Sequence, residues 1–100
     1  MATRKKENSF QSDLIKEIKQ RFKGAMVLKN DADYIQGIPD LTILYNDRWA
    51  NLECKRSQNE SHRPNQDYYV ELLNNMSFAR FIFPENKEDV LNAMGEFFKT

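Results

Sequence analysis

The chain holds a single cysteine, Cys54, which excludes an internal disulfide and points to a reducing compartment. It has no apolar run approaching the length that spans a membrane. Its start, Met-Ala-Thr-Arg-Lys-Lys-Glu, lacks the apolar centre of a signal peptide. The expectation is an intracellular, cytoplasmic protein with no membrane partner. Net charge is also absent: 15 basic side chains balance 15 acidic ones, which excludes a bulk polycation that coats nucleic acid. No internal repeat, linker or low-complexity stretch divides the 100 residues, and a hydrophobic content of 40% suffices for one core, not two.

The charge that is present is unevenly placed. Residues 1–29 carry eight basic side chains against three acidic ones, a local +5 that the rest of the chain compensates. Arg4, Lys5 and Lys6 open this half, and a basic front of this kind can face phosphates. The alternative is a solvated helix face behind a disordered tail.

Periodicity predicts the elements. Residues 1–6 read as a flexible basic tail and 7–100 as a single domain. A first helix is expected from about Asn8 or Ser9 to Phe22, with Phe10, Leu14, Ile18 and Phe22 in one stripe and Gly24 ending it. Ala25 to Leu28 is a short strand candidate, and Asn30 to Gly37 a polar loop leading into Ile38-Pro39-Asp40. Leu41 to Tyr45 and Trp49 to Cys54 read as strands. Pro64 opens a second helix running to about Met76. Phe78 to Phe83 is an aromatic-rich strand stopped by Pro84, and Asn86 caps a last helix carrying Val90, Leu91, Met94, Phe97 and Phe98. The order is α-β-β-β-α-β-α, an α/β fold with a small mixed sheet flanked by helices.

The two central strands carry the chemistry. A two-residue turn at Asn46-Asp47 makes them a hairpin in which Asp40 lies opposite Glu53. Alternation then puts Leu41, Ile43, Ala50, Leu52 and Cys54 on one face, and Asp40, Thr42, Asn51, Glu53 and Lys55 on the other. Leu44 and Trp49 pack together near the turn on that second face. Two carboxylates held side by side repel unless a cation lies between them. Mg²⁺, with Mn²⁺ as its substitute, takes hard oxygen ligands and keeps positions open for water and phosphate. Such a metal polarises a phosphodiester and lowers the pKa of a bound water. Lys55, two residues beyond Glu53, can orient the attacking water or stabilise transition-state charge. The alternative is a cross-strand salt-bridge cluster of Asp40, Glu53 and Lys55 on a wet sheet face. On the first helix Gln11 falls within the apolar stripe, with Glu7 one turn earlier, and a polar side chain in that position needs a partner. Glu17 lies at the stripe's edge and reads as a surface acid paired with a lysine.

Gly37-Ile38-Pro39-Asp40 followed by Glu53-Cys54-Lys55 resembles the P-D…(D/E)-x-K signature of the restriction-endonuclease-like nuclease superfamily. The element order resembles its αβββαβ core. Within that superfamily, Gly-Ile-Pro-Asp and the later Pro64-Asn65-Gln66 resemble the virus-type replication-repair nuclease (VRR-Nuc) group, especially small phage-type members. The resemblance spans roughly residues 7 to 83. It implies a catalytic role for Gln66 on the helix after the E-x-K strand, and for Glu7 and Gln11 at the start of helix one, with Glu7 joining Asp40 and Glu53 as a metal ligand. It further implies divalent-metal-dependent cleavage of DNA inside a bacterial or phage-infected cell. The departure from the pattern is that the first-helix acid sits very early, beside the tail.

Arg56 and Arg63 flank this site and extend the phosphate track begun by Arg4, Lys5 and Lys6. At 100 residues there is no room for a separate sequence-reading domain, so a branched or junction DNA shape is the expected preference. Symmetric cleavage of a junction requires two sites, hence a homodimer. His62 reads as a solvated loop histidine, Cys54 as a small buried hydrophobe, and Tyr68 and Tyr69 as packing residues of which one can reach substrate. Phe97 and Phe98 make either a helix–sheet contact or a dimer patch. Two other classes stay open: a nuclease-fold binding module without catalysis, and a structural domain braced by the Asp40–Glu53–Lys55 network.

Overall fold

Alternation of apolar and polar residues along the central hairpin decides the architecture. In the computed structural model, which describes the backbone of residues 2–100 and the side chains of residues 9–100, seven elements follow in order. They are α1 (Ala2–Arg21), β1 (Met26–Lys29), β2 (Leu41–Tyr45), β3 (Arg48–Cys54), α2 (Pro64–Met76), β4 (Ala79–Ile82) and α3 (Lys87–Lys99). The fold is α/β, with a four-stranded mixed sheet in the order β1-β2-β3-β4. β1, β2 and β3 are antiparallel neighbours, and β4 joins β3 in parallel after the α2 crossover.

The β2–β3 register matches the one expected from the sequence: Leu41 pairs with Leu52, Thr42 with Asn51, Ile43 with Ala50, and Leu44 with Trp49. Asn46 occupies the turn with φ 55°, a left-handed conformation that asparagine tolerates. Leu41, Ile43, Ala50, Leu52 and Cys54 accordingly share one face, and all are buried. Leu14, Ile18 and Phe22 of α1 and Val90, Leu91, Met94 and Phe98 of α3 complete the same core. Each such side chain contributes roughly 1.5–3 kcal/mol on full burial. Phe22, Tyr45 and Phe98 close one end in mutual edge and tilted contacts, with centroids 5.3–5.7 Å apart. Phe97 packs at 5.5 Å on Phe78, just ahead of β4, and Phe98 meets Tyr45 of β2, so these aromatics do make a helix–sheet contact.

Element boundaries differ from the sequence expectation in β3, which starts at Arg48 rather than Trp49, in β4, which spans Ala79–Ile82 rather than Phe78 to Phe83, and in α1 and β1. α1 begins at Ala2 rather than near Asn8 or Ser9. No glycine or proline interrupts Ala2 to Asn8, so nothing local stops the helix from extending, and the capping residues lie inside it. β1 is displaced by one residue because Gly24, at φ +93°, and the turn hydrogen bond from Ala25 N–H to Phe22 O consume the start of the segment. Glu17 does pair with a lysine, but across helices: Lys87 Nζ of α3 lies 2.7 Å away, with Arg21 at 3.6 Å. The Lys87 hydrogen bond holds the Glu17 carboxyl below its usual range. None of the described helices is long and apolar enough to cross a membrane.

Gly37 sits at φ +94° against the start of α2, where an added Cβ would lie 2.7 Å from Asn65 Cγ. Gly24 has a similar φ but open space around it. Gly24→Ala is therefore expected to cost about 1–2 kcal/mol of backbone strain. Gly37→Ala should cost that and a further ~1–3 kcal/mol of overpacking. Urea denaturation of the two variants checks this, and equal losses would show that Asn65 yields freely.

Candidate functional site

The face of the sheet opposite the α1–α3 core carries the polar half of the alternation. Asn51, Glu53 and Lys55 are each only 4% exposed there. β3 is thus buried on both faces, and these three polar side chains are removed from water by α2 and by the loops on either side of the hairpin. A buried polar group must be hydrogen-bonded. No described side-chain polar atom is both buried and unpartnered.

Gln66, in the first turn of α2, makes that accounting close. Its Nε2 donates to Glu53 Oε2 at 3.0 Å, and its Oε1 accepts from Lys55 Nζ at 2.8 Å and from Arg63 N–H at 3.0 Å. One amide therefore links the acid, the base and its own helix start. Lys55 Nζ also donates to Ser61 O at 3.1 Å and lies 6.0 Å from the centre of the Phe81 ring. Asp40 faces Glu53 from the entry to β2, and its Oδ2 accepts from Cys54 N–H at 2.9 Å. The side chain of Asp40 thereby continues the hairpin ladder just beyond the last backbone pair, Leu41 with Leu52.

The electrostatics are unbalanced. Burial, and secondly the charge of Asp40, push the Glu53 carboxyl up to about 8 in spite of the nearby Lys55 ammonium. A self-sufficient salt-bridge network would hold such a carboxyl low. Glu53 is instead pushed toward its neutral form. An open cleft of about 200 Å³ leads to it, lined by Gly37, Ile38, Asp40, Glu53, Asn65 and Gln66, with Arg63 and Asp33 also on its wall.

The donor set bears on which cation fits. Among the described residues no three histidine, cysteine, aspartate or glutamate side chains gather to hold a metal. Two hard carboxylates on an open cleft suit Mg²⁺, which is commonly held by one or two carboxylates and completed by water and substrate phosphate. Asp40 and Glu53 would hold it.

No family model, curated protein or solved structure matches the chain. The site must therefore be judged on its own residues.

Four of the sequence-derived residues, Asp40, Glu53, Lys55 and Gln66, come together, and Arg63 joins them on the cleft wall. Arg56 lies in the same loop but bonds Glu60 through its backbone N–H and guanidinium. Gln11 is half-buried on α1 and is not among the described residues lining the cleft. Glu7, Arg4, Lys5 and Lys6, expected as ligand and phosphate contacts, have side chains outside the described residues. Sequence reasoning missed the contribution of the 30–38 loop. It also missed that His62 stacks on Phe81 at 3.8 Å while its Nδ1 lies 2.9 Å from Asp67 Oδ1. The signal for the loop was Gly37, whose positive φ lets it close on Asn65 and whose neighbour Gln36 accepts through its carbonyl from Asn65 Nδ2 at 3.3 Å.

The raised Glu53 pKa has a definite consequence for stability. Without metal, the folded state keeps a proton between pH 4.5 and about 8 that the unfolded chain releases. Stability should then fall as pH rises through that window, by up to about 1.4 kcal/mol per pH unit. Glu53→Gln, which preserves an acceptor for Gln66, should flatten the dependence and leave the metal-free protein more stable at pH 8. Chemical denaturation in EDTA at pH 5 and pH 8 measures both. A flat wild-type profile would mean that Glu53 is already ionised in the folded protein.

Proposed function

We propose that this chain is a divalent-metal-dependent nuclease hydrolysing DNA phosphodiester bonds, with Asp40 and Glu53 as metal ligands and Lys55 and Gln66 completing the site. The observation that carries the reading is the buried Glu53 carboxyl beside Asp40, under-neutralised yet open to a cleft and tied through Gln66 to Lys55. Structural ion pairs have no need of a cleft, and binding surfaces have no need of a carboxyl destabilised in this way. The likeness of Pro39-Asp40…Glu53-Cys54-Lys55 to the signature of the restriction-endonuclease-like nucleases supports the same reading.

Bound Mg²⁺ or Mn²⁺ would supply Lewis-acid polarisation of the scissile phosphodiester. The protein's own groups do the rest. Gln66 fixes the rotamers of both Glu53 and Lys55, so neither must be ordered during the reaction. The Lys55 ammonium, held by Ser61 O and Gln66, stabilises negative charge that develops on the phosphoryl oxygens and orients the attacking water. Arg63, on the cleft wall, offers a guanidinium to the phosphate backbone. A branched or junction shape is the substrate proposed, and paired cuts in such a substrate call for a homodimer.

Labelled linear duplex, single strand, flap and four-way junction, each incubated with Mg²⁺, Mn²⁺ or EDTA, test the reading. Cleavage should need the metal and vanish in Asp40→Asn and Glu53→Gln. Lys55→Met should lower the rate on the order of a hundredfold or more while metal affinity, read by calorimetry, is kept or raised. Cleavage by both acid variants at the wild-type rate would overturn the reading. Metal and DNA binding with no cleavage of any substrate would leave a nuclease-fold binding module instead.

A further inference from the structure

A second cleft lies on the same face of the sheet, beside the first. It encloses about 250 Å³ and shares Ile38 with the cleft that leads to Asp40 and Glu53. Its floor includes Thr42 and Asn51, each two residues from an acid on the same strand and so roughly 7 Å along the sheet from it. Its apolar sides are Ile35, Ile38 and Leu73, and at its mouth stands Tyr34.

The hydrogen bonds in the floor are directional. Asn51 Nδ2 donates to Leu41 O at 3.1 Å and to Thr42 Oγ1 at 2.7 Å. Asn30 Nδ2 donates to Pro39 O at 2.8 Å and to Thr42 Oγ1 at 2.9 Å. Thr42 Oγ1 in turn donates to Asn30 Oδ1 at 3.1 Å. Both amide NH₂ groups and the hydroxyl are thereby committed. The capacity that remains is acceptor capacity: Asn51 Oδ1, which accepts no hydrogen bond among the described residues and is therefore not itself a fully buried atom, and a lone pair on Asn30 Oδ1. The Asp31 carboxylate adds a third acceptor to the lining. A ligand that fits must bring hydrogen-bond donors.

Tyr34 is 84% exposed, the most exposed of the large hydrophobic side chains described. It is not on a loose loop. Tyr34 N–H and Ile35 N–H donate to Asp31 O, Asp33 N–H donates to Asp31 Oδ1, and Ile38 N–H donates to Ile35 O. An exposed ring on a hydrogen-bonded turn at the edge of a cleft can serve as a stacking platform.

We propose that this cleft takes one unpaired nucleobase of the DNA strand next to the phosphate at Asp40 and Glu53, stacked on Tyr34 and presenting an exocyclic amino group to Asn51, Asn30 and Asp31. The inference rests on the nuclease reading and deepens it. A base can enter only if it has left its duplex, so the substrate carries an unpaired nucleotide at the cut. Adenine and cytosine, with their amino groups, satisfy the floor. Thymine brings only its ring N–H and sets carbonyl oxygens against acceptors.

The test is binding in Ca²⁺, in place of Mg²⁺ to hold substrate uncleaved, by fluorescence anisotropy with 8-mer oligo-dA, oligo-dC, oligo-dT and a blunt 20-bp duplex. Wild type should bind oligo-dA and oligo-dC several-fold more tightly than oligo-dT. Tyr34→Ala should weaken oligo-dA binding roughly 5- to 150-fold, the loss of one base–aromatic stack, and leave duplex affinity unchanged. Tyr34→Phe, which keeps the ring, should bind like wild type. Unchanged oligo-dA affinity in Tyr34→Ala, or an equal loss on duplex, overturns this proposal while leaving the nuclease reading in place. Equal affinity for all three homopolymers overturns the amino-group assignment. Failure of the wild-type protein to bind any of these DNAs overturns both readings together.

Discussion

A carboxylate taken out of water beside another carboxylate is the constraint around which this molecule is arranged. Glu53 is buried, its carboxyl destabilised first by burial and then by Asp40, and no described contact removes that cost. The surrounding structure holds the group in place instead. The hairpin register sets Asp40 against it, and Gln66 reaches from α2 to grip it. Lys55 is drawn into the same bond chain, and Gly37 lets a loop close over the start of α2. A carboxyl whose charged form is disfavoured in this way, held by a fixed frame beside an open cleft, is a candidate for a ligand site.

The stability that offsets this cost lies a pleat away. Successive residues of β3 alternate between the acid site and the apolar core, so Leu52 and Cys54 pack on the α1–α3 side while Asn51, Glu53 and Lys55 face α2. A one-residue slip of β3 against β2 would turn Glu53 into the core and Leu52 out of it. The core packing therefore enforces the register of the site. The described parts of helices α1 and α3, joined by the Glu17–Lys87 and Arg21–Glu88 pairs and the hydrogen bond from Arg21 to Asn92, support this register from the core side.

Legibility in the sequence followed from how local each signal was. The hairpin could be read to the residue because period-two alternation and an Asn-Asp turn are both short-range. α2 could be read because Pro64 opens it. The beginning of α1 could not, since a polar run without glycine or proline carries no stop signal. The double grip of Gln66 could not be read from periodicity either. It depends on α2 crossing back over β3 to reach the parallel β4, and only the likeness to a family motif singled that glutamine out. The same crossover brings Phe81 between His62 and Lys55, which no local pattern announces. The 30–38 loop was visible as polar, but its shape comes from Asp31 turns and from the contact of Gly37 with Asn65, which lie far apart in sequence.

That loop joins the two clefts into one mechanical unit. Ile38 lines both, Gly37 rests on Asn65, and Asn65 precedes the glutamine that orients Glu53 and Lys55. Gln36 O accepts from Asn65 Nδ2, and Asn30 N–H donates to Asp40 O, so the loop is fastened at one end to α2 and at the other to the strand entry that bears Asp40. A strand lying across both clefts would meet walls already fixed relative to each other, and little ordering cost would be charged against its binding. A change at Gly37 would loosen both clefts at once, since it moves the wall they share and the helix start that holds Gln66. This shared wall would hold the proposed phosphate site and the proposed base site at a fixed spacing.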